Sequence, residues 1–103
     1  MSGTITRITL FKIPDEESQK KVLGFYQQMP QKAVKDGKPY IVSVNAGIAV
    51  ADQRAQGFTI AAVSTFASAE DMAYYDNECA AHAELKGFAK GAHQGFAMVY
   101  FKN

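Results

Sequence analysis

Residues 66–91 read FASAEDMAYYDNECAAHAELKGFAKG. They hold the longest helical signal in the chain, its one cysteine, one of its two histidines and an adjacent tyrosine pair. Ser68 is placed as an N-cap, because a hydroxyl there can accept from the N–H groups that a helix start leaves unpaired, and Glu70 and Asp71 follow at the positive end of the helix dipole. Met72, Tyr75, Cys79, His82 and Leu85 then recur at spacings of three and four, the period of one helix face. In a continuous helix Tyr75, Cys79 and His82 lie within about 60° of one another. Gly87 and Gly91 loosen its end.

Strand signals flank this helix on both sides. Before it, residues 58–66 (FTIAAVSTF) send Phe58, Ile60, Ala62, Ser64 and Phe66 one way and Thr59, Ala61, Val63 and Thr65 the other; after it, residues 96–101 (FAMVYF) form a last strand. Further out, residues 4–13 (TITRITLFKI) are rich in β-branched and aromatic side chains and are closed by Pro14. Their apolar groups fall on both faces, Ile8 and Leu10 against Ile5, Phe11 and Ile13. Asp15, Glu16 and Glu17 open a first helix whose stripe is Val22, Leu23, Phe25, Tyr26 and Met29, with Pro30 as a boundary or kink near its end. Asp36-Gly37 reads as a turn. Residues 39–50 (PYIVSVNAGIAV) resume a strand, in which Asn45 and Gly47 suggest a bulge, and the short polar link at residues 52–57 favours antiparallel pairing with the strand that follows.

The order β-α-β-β-α-β defines an α+β chain with the split plan of ferredoxin-like folds, as one domain over residues 1–103. Two helices cover only one face of a four-stranded sheet, yet three of the strands carry apolar groups on both. The second face therefore calls for a partner, and a homodimer with facing sheets, a barrel between subunits, meets the demand. Assembly beyond the dimer stays open.

The formal net charge is +1 and the basic residues are scattered, which argues against a nucleic-acid partner. No apolar run reaches the roughly 18 residues of a membrane span, and no basic segment leads into an apolar one at the N-terminus, so neither membrane nor secretory signal is expected. One cysteine excludes an internal disulfide and fits a cytoplasmic protein. Cys79, His82 and Glu78 do not assemble a metal set, since residues 78 and 79 diverge on a helix, and neither metal nor cofactor is expected.

His82 and Tyr75 are the candidate catalytic pair. A neutral imidazole can take a proton from an acidic carbon, and a phenol can hold the enolate oxygen that results. The plainer reading makes both amphipathic packing residues whose polar atoms are satisfied locally. Arg7, inside an otherwise apolar strand, is either an anion anchor or an edge charge that discourages strand pairing. Phe11, Tyr26, Ile60, Ala62, Met72 and Met98, with Tyr100, are core residues that could also line a ligand cavity. Cys79 reads as a small buried side chain, and His93 as a surface or edge residue.

ITRITLFKIPDE at the start, GFTIAAVSTFASAEDMAYY in the middle, AAHAELKGFAKG and the closing FAMVYF together resemble the stress-responsive A/B barrel proteins, called dimeric α+β barrels. That resemblance implies a homodimer of ferredoxin-like subunits. Its catalytic relatives are plant polyketide cyclases similar to olivetolic acid cyclase, which close a poly-β-keto chain by aldol condensation without metal or cofactor. The tyrosine and histidine those enzymes use match Tyr75 and His82, with one extra residue between them; two further pocket histidines fall on Arg7 and Ile60. Where the family often writes a His-Pro-Ala-His turn, this chain has Asn77-Glu78-Cys79-Ala80-Ala81-His82, which leaves open whether the helix breaks near Asn77 to Ala80 and where His82 points. The first reading this resemblance implies is a non-catalytic, stress-associated homodimer with a small hydrophobic ligand pocket between sheet and helices; the second is a cofactor-free cyclase acting on a small aromatic or polyketide-like molecule through His82 and Tyr75, and a cofactor-independent monooxygenase is the third.

Overall fold

Arg7 and Thr9 alternate with Ile8 and Leu10 in β1 (Ile5–Phe11), a strand whose two faces both carry apolar side chains. The computed structural model describes residues 3–103 and places this strand inside a four-stranded antiparallel sheet. β1 pairs on one side with β5 (Ile60–Phe66) and on the other with β6 (Phe96–Lys102); β4 (Ile41–Ile48) lies beyond β5 at one edge, giving the order β4-β5-β1-β6. β-Branched and aromatic residues dominate all four strands, as a pleated, half-buried surface favours.

α1 (Glu16–Lys32) starts where Asp15 accepts from the Ser18 N–H at 2.9 Å. It runs two residues past Pro30. A proline there removes one intrahelical bond close to the end, and the turn is still closed by the Ala33 N–H donating to the Met29 carbonyl. β2 (Val34–Lys35) and β3 (Lys38–Pro39) then form a small hairpin around Asp36-Gly37, where φ is +54° and +77°. Both turn residues are left-handed, the conformation a two-residue hairpin needs and the one glycine adopts without strain. Lys35 ties this hairpin to Asp71 at 2.9 Å, and the Tyr74 hydroxyl donates to the Val34 carbonyl. The bulge in β4 falls at Val42, between Ile41 and Ser43, and not at Asn45 or Gly47, which pair in regular register with Val63 and Ala61. Small side chains in a strand mimic the composition of a bulge without causing one.

The helical stretch of residues 66–91 is two helices. α2 (Ala69–Asn77) begins with Ser68 accepting from the Asp71 N–H, as its sequence requires, and α3 (Ala80–Ala92) begins at Cys79. Between them the Glu78 and Cys79 N–H groups both donate to the Tyr74 carbonyl, and Cys79 is extended at φ −74°, ψ 117°. Shared use of one carbonyl stops the regular ladder and turns the chain.

Helices and sheet enclose one core. Phe66, Ile60, Ile13, Val22, Met29 and Leu85 are its largest fully buried side chains, each contributing about 1.5–3 kcal/mol by leaving water. The other face of the sheet is bare. Directly opposed residues share a face, so Ile8 lies between Val63 and Val99, Leu10 between Ala61 and Ala97, and Thr6 between Thr65 and Phe101. Val63, Val99 and Phe101 on this face are exposed.

Candidate functional site

The break between α2 and α3 builds the site. His82 sits in the first turn of α3, and its Nδ1 lies 2.8 Å from the Tyr75 carbonyl oxygen of α2. A carbonyl only accepts, so Nδ1 carries the proton and Nε2 keeps its lone pair. One turn further along α3, Lys86 donates to the Asp76 carbonyl at 2.6 Å. Two side chains of α3 thus cap two successive carbonyls that the end of α2 would leave unpaired. The same contact lays the imidazole flat on the Tyr75 ring, with centroids 3.6 Å apart and planes 10° from parallel. Stacking covers the ring face and leaves its edge for chemistry.

Arg7 approaches from the sheet below. Its Nη1 lies 2.8 Å from both carboxylate oxygens of Asp76, and its guanidinium carbon is 5.3 Å from the Tyr75 ring centroid. The residue is buried, 8% exposed, in an inner strand. The edge-charge reading fails on that position: β1 has a hydrogen-bonded neighbour on each side. As an anchor for a free anion Arg7 is also already engaged, because Asp76 neutralises it.

These groups surround a half-enclosed cavity of about 420 Å³ between the sheet and the helices. Of the residues expected there, His82, Tyr75, Arg7, Phe11, Tyr26 and Met98 do line it. Ile60, Ala62 and Met72 do not: they are closed into the core, at 0%, 2% and 8% exposure. Of Ile60, Ala62 and Ser64, alternate residues on one face of β5, Ser64 reaches the cavity and Ile60 and Ala62 do not. Tyr100 is exposed on the edge strand. Cys79 is buried at the break and outside the cavity wall.

Thr9, Ser64, Asp76, Lys86, Lys90 and His93 complete the polar part of the lining; His93, expected at the surface or an edge, stands half-buried in the cavity wall against Phe11 and Phe96, and the others were not singled out from sequence. A signal existed for two of them. Thr9 and Ser64 stand on the helix-facing side of the sheet among Ile, Phe and Ala, where a polar residue marks a wall that is not fully packed. Asp76 and His93 gave no such signal, since their placement depends on the helix break and on the turn after α3.

Burial sets the protonation states. It pushes the His82 pKa down to about 4, further lowered by the Arg7 and Lys86 charges and opposed by the Tyr75 carbonyl and by Asp76. His82 is therefore a neutral base at pH 7. Burial raises the Tyr75 hydroxyl well above its ordinary value, with the Tyr26 hydroxyl nearby adding to the effect and Arg7 opposing it, and raises Tyr26 to about 12. Both phenols stay protonated and can donate. Among the described residues, no His, Cys, Asp and Glu group is placed to hold a metal ion, and no helix is long and apolar enough to cross a membrane.

A four-stranded antiparallel sheet with helices on one face, a bare apolar face on the other and a cavity beneath a split second helix defines a subunit of the α+β barrel class. The sequence profile of the Stress Responsive A/B Barrel Domain matches residues 5–100, and the chain belongs to that family. It is 38% identical over 103 residues to a protein of Gibberella zeae described as a fusaristatin A biosynthesis cluster protein, covering 99% of this chain and 75% of that one. Among solved structures it resembles a hydroxynitrile lyase from Passiflora edulis, with a TM-score of 0.82 at 16% identity over 100% of this chain and 95% of that one. A dimeric ferredoxin-like protein of unknown function from Thermobifida fusca superposes with a TM-score of 0.80 at 16% identity, over 100% and 93% of the two chains.

Proposed function

We propose that this chain is a cytoplasmic, homodimeric A/B barrel protein whose cavity takes a small, largely apolar carbonyl compound and performs cofactor-free enolate chemistry of the polyketide cyclase kind. The observation that carries this reading is the cavity itself: His82, fixed through Nδ1 with Nε2 unprotonated, and Tyr75, kept as a phenol, stand side by side in its wall. The volume lies within the range of small-molecule sites, about 300–1,000 Å³. The description of the fungal relative as a biosynthesis cluster protein supports a small-molecule role.

In this reading Nε2 of His82 takes a proton from the carbon beside a carbonyl, and the electron pair of that C–H bond moves to the carbonyl oxygen. A phenol of Tyr75 or Tyr26 holds the enolate oxygen by hydrogen bonding, in a site where little water competes. The imidazolium that forms has the Asp76 carboxylate 3.8 Å from Nδ1, which favours it. Attack of the enolate carbon on a second carbonyl of the same molecule forms the new C–C bond, and the proton passes from His82 to the alkoxide. The test is titration of the ¹⁵N-histidine-labelled protein with an aryl β-diketone. Perturbation of the His82 imidazole at submillimolar ligand is expected, and an unperturbed His82 signal would overturn the reading.

Dimerisation rests on the bare sheet face. Ile8, Val63, Val99 and Phe101 form a contiguous apolar strip that a lone subunit would leave in water. The chain is expected to sediment at twice its 11.2 kDa at micromolar concentration. Val99 is 61% exposed, so Val99→Asp should give a folded monomer, because burying an unpaired carboxylate between sheets costs several kcal/mol. A wild-type monomer, or an undisturbed Val99→Asp dimer, refutes this interface.

A further inference from the structure

Both histidines of the chain stand in the walls of one cavity, and the chemistry above uses only His82. His93 ends α3, with extended backbone at φ −95°, ψ 153°. Its ring packs 5.7 Å from Phe11 and edge-on to Phe96 at 5.4 Å. Nδ1 is buried and has no hydrogen-bond partner among the described residues, and the residue lines the cavity. A polar atom at a cavity wall without a protein partner calls for a ligand or solvent group.

The two imidazoles are separated along α3. Eleven residues lie from one to the other, a rise of about 16 Å along the axis. Leu85 and Ala89 line the wall of α3 between them, with Phe11 and Met98 on the sheet opposite. Spread over that length, 420 Å³ leaves a mean cross-section of about 25 Å², room for an extended chain or a flat ring on edge. The C-terminal end of α3 carries partial negative charge, which Lys90 in its last turn offsets, so a neutral hydroxyl suits the surroundings of His93.

The geometry points to a two-ended site: His82 and Tyr75 hold the reacting carbonyl, and the His93 imidazole reads a second, neutral polar group at the far end of an elongated ligand with an apolar middle. His93 is thus a specificity-determining residue of the proposed reaction, and the inference rests on the cavity being a ligand site.

Binding of decanediol, with a hydroxyl at each chain end, is compared with that of decanol by calorimetry and by the ¹⁵N shifts of the imidazoles, in the full-length protein. Neutral probes keep Lys86 and Lys90 at the cavity wall out of the comparison. The diol is expected to bind about three- to tenfold tighter than decanol, the effect of one hydrogen bond, and to shift His93 as well as His82. His93→Phe retains the ring packing and should erase that preference without weakening decanol; His93→Gln offers an amide in place of the imidazole and should restore it. Equal binding of the two probes in the wild type, or a preference that survives in His93→Phe, overturns the inference while the His82 site stands. If neither probe binds, the ligand-site reading falls and this inference with it.

Discussion

His82→Asn should slow α-proton exchange of a bound aryl β-diketone with D₂O by about 10²- to 10⁴-fold, the usual contribution of a positioned base. Asparagine is the informative replacement because its amide N–H can take over the bond from Nδ1 to the Tyr75 carbonyl. His82→Ala should lose the same activity and also leave that carbonyl unpaired, at a cost of about 1–3 kcal/mol in stability. Unchanged exchange in the asparagine variant would remove His82 from the chemistry. The wild-type exchange rate should stay level from pH 7 to about pH 5 and fall with an inflection near 4, because burial holds the imidazole pKa at about 4. The same shift acts on stability. In the unfolded chain the group titrates near 6.5, so between the two values the unfolded state binds more protons, and stability is lost as pH falls from about 6.5 through about 4. The whole loss amounts to about 3 kcal/mol.

Asp76→Ala should destabilise the protein by about 2 kcal/mol. It leaves the Arg7 guanidinium, whose side chain is 10% exposed, without its counter-ion inside the sheet–helix layer. Breaking a fully buried pair costs about 3–5 kcal/mol; over a third of the Asp76 side chain is exposed, so water makes up part of the loss. Arg7→Met combined with Asp76→Ala should recover most of that stability, because no charge is then left behind and the methionine refills the space under Tyr75. Denaturant unfolding of the two single variants and the double variant closes the cycle. A double variant less stable than Asp76→Ala alone would mean that Arg7 stabilises by its contacts to Tyr75 and the cavity wall, with the ion pair secondary.

Much of the architecture was legible in the residues. Strand residues alternated or ran apolar on both faces where the sheet now stands, Asp15 and Ser68 capped the helices they preceded, and Asp36-Gly37 made its turn. The bare face was legible too, because Val99 and Phe101 on one side of their strand and Met98 and Tyr100 on the other could not all be hidden beneath two helices. The break at Cys79 was left open: the comparison with the family's turn pointed to the stretch from Asn77 to Ala80, and the residues alone did not decide it. Spacings of four, three and three from Tyr75 to Leu85 fit an unbroken helix, and neither proline nor glycine interrupts them. The break is accompanied by side-chain caps seven and ten residues apart, His82 and Lys86 on the carbonyls of α2, which periodicity does not encode. Arg7 was open to both readings because strand order decides between edge and interior; the ferredoxin-like plan, which puts the first strand inside, already argued against an edge. His93 was read as a surface or edge residue because its place in the cavity wall depends on how the chain leaves α3.

The joint at Cys79 also governs how such a protein can change. Backbone continuity would lock the directions of α2 and α3 together, whereas here an extended residue and two side-chain caps set the angle between them. Substituting Lys86, or lengthening the link by a residue, would re-aim one half-helix over an unaltered sheet. The volume of the cavity is then adjustable apart from the core that stabilises it, and one scaffold can be refitted to molecules of different breadth with few substitutions.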